Sequence, residues 1–302
     1  MKENPTTEIG FSKFCSLRPV NVLLSADMPR DLCLCMYHEN IKMLCESLHK
    51  EIDDFPLYSG RFAENFVCNP AESELCMLGK CKKCAKCPSL LQKIGSSAGN
   101  LDEHATWYQW KHVEQTVQAK KGKSMKRVNK IQKVLKEGTV DDLLEDLEVQ
   151  LPSFLEHVFV KRQQARIFKE KIEHLTEEEA VLQVDFAENF SCKYLGEVQS
   201  AHWSQDQVTL FTVAIWTKSG DKNSCCESHV IVSDDLKHDK TSVAVFMCKV
   251  VNDLVKGRHP NITRVWIFSD GPSSQFKNRY IAHFLHLLQG QGFNIQWNYF
   301  AT

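Results

Sequence analysis

Two short apolar runs that each end in an acid constrain the fold of this chain most strongly. The first is Val181-Leu-Gln-Val-Asp185, and the second is Val265-Trp-Ile-Phe-Ser-Asp270. Apolar runs of about four to eight residues rich in Val, Ile and Phe are typical of buried strands. A carboxylate at the end of such a strand lies at the edge of a sheet, where a ligand can reach it. The alternative is that the Asp only forms a turn, which is common for pairs such as Asp270-Gly271. The two acids can meet if their strands are neighbours.

The order of the predicted elements favours neighbouring strands. Three strands are followed by a helix, a strand, a second helix and a last strand, which predicts an α/β fold. Gly257 is the expected stop of the first helix. The predicted elements are Val181–Asn189, Gln207–Thr217, Ser228–Asp234, helix Thr241–Lys256, Thr263–Ser269, helix Gln275–Leu288 and Phe293–Phe300.

Five segments of this region carry a resemblance to a known class of proteins. They are VDFAENF, VTLFTVAIW, HVIVSDD, IFSDGPSSQFKNRY and WNYFAT. They resemble the transposase-derived, ribonuclease H-like proteins of animal genomes, which belong broadly to the DDE class. The resemblance covers at least residues 181–302 and implies a ribonuclease H-like mixed sheet in which the first and fourth strands are adjacent. It also implies that Asp185 and Asp270 face each other and bind the catalytic metal ions.

The chemistry implied by the resemblance is phosphodiester cleavage and strand transfer on DNA. Two divalent ions about 4 Å apart can activate the attacking oxygen and stabilise the leaving one. Mg²⁺ takes oxygen ligands and keeps several waters, so a few carboxylates are enough to hold it. We therefore expect Mg²⁺ or Mn²⁺ as cofactor and DNA as partner.

The sequence departs from the class at the third acid. In DDE proteins that acid lies on a helix after the fifth strand, and this sequence ends at Thr302, so the expectation is a truncated or decayed copy that is catalytically incomplete. Glu188 or Asp234 could substitute only if its carboxylate lay within roughly 5 Å of the pair. The alternative function is a non-catalytic DNA- or protein-binding module derived from a transposon.

Cysteines form a second constellation between residues 31 and 90. The chain has 13 cysteines and no secretory signal, which indicates reduced thiols or metal ligands rather than disulfides. Zinc takes four tetrahedral Cys or His ligands, often in pairs two to four residues apart. The alternative is a set of buried free cysteines, and Cys45 is expected in a helix core. The predicted ligands, whose pairing the sequence leaves open, are Cys81, Cys84, Cys87, Cys33, Cys35, His38, Cys68 and Cys76.

Two basic segments are candidates for nucleic-acid contact. Residues 120–133 contain no acid and can neutralise phosphates, although a nuclear-import signal or a solvated helix face is an equal alternative. The start of the helix after Asp270 could bind phosphate at its N-terminus. The predicted nucleic-acid-binding residues are Lys120, Lys121, Lys123, Lys126, Arg127, Lys130, Lys277 and Arg279.

The whole sequence divides into four predicted regions. They are a short N-terminal segment (1–30), a cysteine-rich, mainly helical zinc-binding region (31–100), a helical, basic linker region (101–176) and the ribonuclease H-like domain (177–302). Within the linker, Thr139 is the predicted N-cap of a long helix and Pro152 is predicted to break or kink it.

Composition limits the partners and the location. The net charge of −1 excludes a uniformly basic nucleic-acid binder but not a basic patch. No run of about eighteen apolar residues exists, so no membrane helix is expected, and no signal peptide is evident. We expect a nuclear or cytoplasmic protein, with a second copy of the chain as a further candidate partner.

Overall fold

The computed structural model of this chain describes residues 33, 35–68, 73–84, 100–118, 125–193, 195–196, 198, 205–220 and 223–301. The predicted segment 1–30, the predicted zinc ligand Cys87, and Lys120, Lys121 and Lys123 lie outside these residues. Within them, the chain is an α/β protein with a mixed sheet. No helix in this part of the chain is long and apolar enough to span a bilayer.

The cysteine-rich region is built from short helical elements. Helix α1 is Met36–Glu51, a 3-10 helix spans Phe62–Phe66, and α2 is the single turn Glu74–Met77. Cys45 is fully buried on α1, as the sequence predicts for a helix-core cysteine.

Residues 104–118 and 125–139 form two paired strands, called the hairpin below, so the prediction of a helical region from residue 101 is wrong for these residues. Strands β1 (His104–Gln118) and β2 (Met125–Thr139) pair antiparallel along their whole length. The buried residues Ala105, Trp107 and Gln109 alternate with exposed ones, which is the period of a strand rather than of a helix. The lysines within the two described strands therefore lie on a two-stranded ribbon and not on a helix.

Helix α3 (Val140–Glu173) follows the hairpin directly and runs for 34 residues. Thr139 is its N-cap, as predicted: its hydroxyl accepts the Asp142 N–H, and the Asp142 carboxylate accepts the Thr139 N–H. Pro152 lies inside the helix and does not end it, so of the two predicted outcomes, a break or a kink, the break does not occur. Buried residues on both sides of Pro152, such as Leu147 and Phe154, hold the helix against its neighbours.

The sheet of the C-terminal half has the spatial order β6-β5-β3-β7-β8. In this sheet β5 pairs antiparallel with β3 on one side and with β6 on the other, whereas β7 pairs parallel with β3 and with β8. A short strand, β4, pairs with the start of β5. Helices connect β6 to β7 and β7 to β8. The bounds are β3 Glu179–Phe186, β4 Phe190–Ser191, β5 Gln207–Ser219, β6 Asn223–Ser233, α4 Lys240–Lys249 with a π-helical continuation Val250–Lys256, β7 Arg264–Ser269, α5 Arg279–Gln289 and β8 Asn294–Tyr299.

The two faces of this sheet are covered by different helices. Alternate residues such as Leu182 and Ile267 form one core with α4 and α5. On the opposite face Val181 and Phe268 pack with the C-terminal half of α3, where the Phe168 ring lies 4.9 Å from the Phe268 ring. Side chains alternate along a strand, so the row through Val181 and Gln183 continues to Asp185 on the α3 side.

Candidate functional site

The two predicted acids lie at the same edge of the sheet. Strands β3 and β7 are parallel neighbours, and the last paired residues are Gln183 and Phe268. Asp185 and Asp270 each follow two residues later, at the carboxyl ends of adjacent strands. The Phe186 N–H donates to the Asp185 carboxylate at 2.8 Å. The structure thus brings the acids together from positions 85 residues apart in the sequence.

Asp270 is partly buried and interacts electrostatically with Asp185, whose side chain is more exposed. Burial raises the pKa of Asp270 to about 6, and the negative charge of Asp185 adds to this shift. Burial also raises the pKa of Asp185, against the lowering effect of the Phe186 N–H. Asp270 Oδ1 is buried and has no hydrogen-bond partner among the described atoms. A divalent cation between the two acids would satisfy this oxygen and remove the repulsion.

Neither of the substitute acids completes this pair. Among the residues that the structure describes, no further His, Cys, Asp or Glu forms with Asp185 and Asp270 a group whose ligand atoms all lie within 4.8 Å of one another. Glu188 is exposed after the end of β3, and Asp234 follows β6, which β5 separates from β3.

Three cations lie in or beside the loop that follows Asp270. The Lys240 ammonium lies 4.0 Å from the centre of the Tyr280 ring, and the Arg279 guanidinium lies 5.0 Å from the same ring and donates to its hydroxyl. Lys277 lies over the ring of Tyr299. Lys240 joins this group because its backbone N–H donates to Ser274 O at 3.2 Å. Lys277 and Arg279 were predicted from the sequence, whereas Lys240 was missed because it belongs to another helix.

A first Cys/His cluster combines Cys33, Cys35, His38 and His157, and its four ligand atoms all lie within 4.8 Å of one another. Cys35 Sγ is 3.1 Å from His38 Nδ1 and 3.2 Å from His157 Nε2, and Cys33 Sγ is 3.5 Å from His157 Nε2. Four N and S ligands at such distances fit a tetrahedral zinc ion. This cluster could hold a metal ion that ties the segment before α1 to α3.

A second cluster consists of four cysteines, Cys68, Cys76, Cys81 and Cys84. Cys68 Sγ lies 3.8 Å from Cys76 Sγ and 3.6 Å from Cys81 Sγ. Four sulfurs bound to one zinc ion at about 2.3 Å lie about 3.8 Å apart. Gly79, with a φ of 68°, turns the chain back between Cys76 and Cys81. The predicted cysteines that the structure describes therefore form two separate groups, and each group has four protein ligands, counting the histidines of the first.

His157 is the ligand that sequence reasoning missed. It lies on α3, 119 residues after His38, and its ring is buried in a row with Phe154 and Val158. A histidine on the apolar face of a helix is usually a core residue, so the sequence around it gives no sign of a metal. The only usable signal was that Cys33, Cys35 and His38 leave one position of a tetrahedral site unfilled.

The two histidines of the first cluster are in the form that binds metals, whereas the pKa of several cluster thiols, including Cys68 and Cys84, is raised. Burial lowers the pKa of His38 to about 4, helped by the charge of His157, and burial lowers the pKa of His157 as well. Both rings are thus neutral near pH 7, the form that binds metals. Burial raises the pKa of Cys35 to about 11, so a metal ion must displace its proton, whereas the backbone N–H groups of Cys84 and Lys83 lower the pKa of Cys81 to about 6.

The basic residues predicted around Lys126 lie on the second strand of the hairpin, away from the sheet edge. Arg127 and Lys130 are exposed on β2. Arg127 faces Glu114 across the hairpin at 4.0 Å. The structure does not place either residue next to Asp185 or Asp270, so these basic residues and the acids are different sites.

Comparison with known proteins adds one finding for the C-terminal half. Residues 164–302 match a family described as a domain of unknown function (DUF8701). The match begins within α3 and includes Asp185, Asp270 and the three cations, but neither Cys/His cluster. The chain matches none of the curated proteins with which it was compared.

Proposed function

We propose that this chain is a transposase-like, DNA-processing protein whose Asp185 and Asp270 hold divalent cations at the edge of a ribonuclease H-like sheet. The observation that carries the proposal is the meeting of the two acids on adjacent parallel strands, where burial and mutual repulsion raise the pKa of Asp270. Carboxylates with such shifted pKa values cluster at functional sites. The spatial strand order supports the fold assignment, because the first strand lies between the second and fourth, as that fold requires.

The donor atoms at the edge fit Mg²⁺ or Mn²⁺. Both groups offer only oxygen, and the orphaned Oδ1 of Asp270 is available for coordination. When bound, such ions supply an activated oxygen nucleophile and stabilise the leaving oxygen of a phosphodiester. Asp185 and Asp270 contribute the negative charge that would bind these ions, and the two paired strands fix the positions of their carboxylates.

The cations beside the acids would bind the DNA backbone. Lys240, Lys277 and Arg279 border the loop after Asp270, and the Tyr280 ring orients two of them. Lys and Arg neutralise phosphates and set the register of a nucleic acid without reading its bases. In this proposal they hold the phosphate backbone next to the acids, in a protein of the nucleus or cytoplasm.

The two Cys/His clusters are proposed to bind structural zinc. Each cluster fills all four positions of a tetrahedral site with protein ligands, which is the pattern of structural rather than catalytic zinc. Zinc in the first cluster would fix α1 to α3 and so to the sheet, because α3 continues to the sheet face through Phe168.

The second candidate function is a non-catalytic DNA-binding module. The observation that favours it is the group of three cations around the loop after Asp270, because these residues could bind phosphate with or without a metal ion. In that case Asp185 and Asp270 would serve only the fold.

A nicking assay separates the two functions. The zinc-loaded chain is incubated with supercoiled plasmid and Mg²⁺ or Mn²⁺, together with the variants Asp185→Asn and Asp270→Asn. Asp234→Asn, an exposed acid outside the pair, is the matched control. The proposal expects nicking that each acid variant reduces at least 100-fold and that the control retains. DNA binding without nicking supports the non-catalytic module. A chain that neither binds nor nicks DNA would contradict both functions.

A further inference from the structure

The β1–β2 hairpin is a long ribbon that is only partly attached to the protein. Each strand has 15 residues, paired from His104 with Thr139 to Gln118 with Met125. At about 3.4 Å per residue the ribbon is roughly 50 Å long. Two-stranded ribbons are marginally stable alone in water, so the attachment of one end and the surroundings of the other both matter.

The base of the ribbon is firmly held. Trp107 is buried in the core with α1 and α3, and its indole N–H donates to Asp146 at 2.8 Å. The Asn40 side chain bridges the backbone N–H and C=O of Trp110. Lys136 forms an ion pair with the same Asp146. The ribbon is therefore fixed in direction by α1 and α3 up to about Trp110.

The distal part of the ribbon is uncovered. Beyond Gln109, none of the described side chains on β1 is buried, and none of those on β2 is. Residues opposite each other share a face. One face, which we call the outer face, therefore presents Arg127, Asn129, Ile131 and Lys133 on β2 together with Trp110, His112, Glu114 and Thr116 on β1. Ile131 is 55% exposed and the Arg127 side chain 81%. The outer face is therefore open along the described part of the ribbon.

Charge identifies the partner as a polyanion. Residues 104–139 contain nine Lys or Arg and two Glu, a net charge of +7, and since the whole chain carries −1, the rest carries −8. The only described acid in the distal part of the ribbon is Glu114, which lies 4.0 Å from Arg127. Such an asymmetry is the electrostatic footprint of nucleic-acid binding.

We propose that the ribbon binds duplex DNA by entering the major groove with its outer face. This rests on the proposed function insofar as the chain acts on DNA. The B-form major groove admits a two-stranded β-ribbon, and Arg and Asn are the side chains that pair with guanine and adenine edges there. Lys133 lies on the outer face, whereas Lys130, paired with Val113, lies on the opposite face and would contact only phosphates that flank the groove. The ribbon is a DNA anchor separate from the acids, so the protein contacts its substrate at two places.

The groove geometry makes duplex RNA a poor ligand. The major groove of A-form RNA is too deep and narrow for protein side chains to read. A preference for duplex DNA over duplex RNA of the same sequence is therefore part of the proposal, and equal affinity for the two would overturn it.

The test measures the affinity for a 30-bp DNA duplex by fluorescence anisotropy across a range of salt concentrations. It compares the full zinc-loaded chain with the triple variant Arg127→Ala/Lys130→Ala/Lys133→Ala. The control, Lys169→Ala/Lys193→Ala/Lys218→Ala, removes the same charge from exposed residues elsewhere. The ribbon variant is expected to bind at least 10-fold more weakly at ~0.1 M salt. The slope of log K against log salt should also become less steep by about 2–3, because each lost phosphate contact contributes about 0.9 to the slope. An equal loss in the control, or no loss in the ribbon variant, would overturn the proposal.

A charge-conserving variant excludes misfolding as the cause. Lys130→Arg/Lys133→Arg keeps the cations and is expected to bind within 2-fold of the parent, whereas a loss as large as that of the alanine variant contradicts the electrostatic account. The ribbon could instead contact a second copy of the chain, and sedimentation of the same proteins without DNA tests this alternative. If the alanine variant changes the oligomeric state and leaves the DNA affinity unchanged, the ribbon joins two copies of the chain.

The proposed function and this inference fail separately. Binding is measured on an Asp185→Asn background without Mg²⁺ or Mn²⁺, so no cleavage chemistry enters. Ribbon-dependent binding in a chain that never nicks DNA rejects only the metal chemistry. If the ribbon substitutions change neither the nicking rate nor the DNA affinity, only the proposal that the ribbon binds DNA is rejected.

Discussion

At the scale of single residues, Asp270 is the clearest sign of a site. Its half-buried carboxyl has an orphaned oxygen and a second negative charge beside it, an arrangement that weakens the fold unless a cation is present. The sequence alone could show that an acid ends each strand. It could not show the repulsion, which depends on strand pairing between residues 85 positions apart.

Replacing Asp270 by Asn should stabilise the metal-free protein near neutral pH. The pKa is about 6 in the folded protein and lower in the unfolded chain, so the folded state prefers the protonated form. The stability that this preference gives is lost as the pH rises through 6. We expect the melting temperature of Asp270→Asn to exceed that of the parent by about 2–4 °C at pH 7.5, roughly 1 kcal/mol after discounting for the exposed part of the group.

The difference between the two proteins should shrink at pH 5.5, where the parent carboxyl is mostly protonated. Scanning calorimetry of both proteins and of Asp234→Asn, at both pH values, measures this. A lower melting temperature for Asp270→Asn at pH 7.5 would mean that the carboxylate has an unseen stabilising partner.

His157 gives a second prediction at the residue scale. Because it completes the first cluster, His157→Ala should lower the zinc content of the purified protein from about two ions per chain to about one. His174→Ala, an exposed histidine at the end of the same helix, is the control and should keep both ions. Zinc is counted by inductively coupled plasma mass spectrometry. Two ions in His157→Ala would show that the first cluster does not hold zinc as described.

At the scale of elements, α3 connects the two halves of the molecule. Its first half packs with α1 and the hairpin through residues such as Leu143 and Leu147, and its second half packs on the sheet through Phe168. The helical period and the Thr139 cap made this helix predictable. The preceding hairpin was missed because its charged outer face hides the alternation that Ala105 and Trp107 show only at its base.

Phe168 tests the packing of α3 on the sheet. Its ring contacts the rings of Phe268, Trp216 and Phe300 at centroid distances of 4.9 to 5.6 Å. Phe168→Ala should lower the free energy of unfolding by about 2 kcal/mol, less than for a fully buried Phe because the side chain is partly exposed. Urea unfolding measures the loss. Val149→Ala, 71% exposed on the same helix, should change stability by less than about 0.5 kcal/mol, and equal losses would show that Phe168 does not anchor the helix.

At the scale of the whole molecule, sequence and structure differ in what they reveal. Most strands of the C-terminal half were predictable because they contain compact apolar runs, and their order along the chain suggested which would be neighbours. The short β4 and the polar first half of β6 were missed because they lack such a run. The partition of the cysteines into two clusters was not predictable, because local spacing cannot show that Cys33 and Cys35 approach a helix more than a hundred residues away. The same limit applies to Lys240 beside Arg279.

The account of the whole molecule depends on one claim, that Asp185 and Asp270 together bind a divalent cation. The measurement that tests it most directly is Mn²⁺ binding to the zinc-loaded chain, followed by electron paramagnetic resonance. We predict saturable binding that Asp185→Asn and Asp270→Asn each weaken at least 10-fold and that Asp234→Asn leaves unchanged. The affinity should also fall as the pH drops from 7.5 through 6, because a proton then competes for Asp270. Equal Mn²⁺ affinity in the parent and in both acid variants would contradict the account.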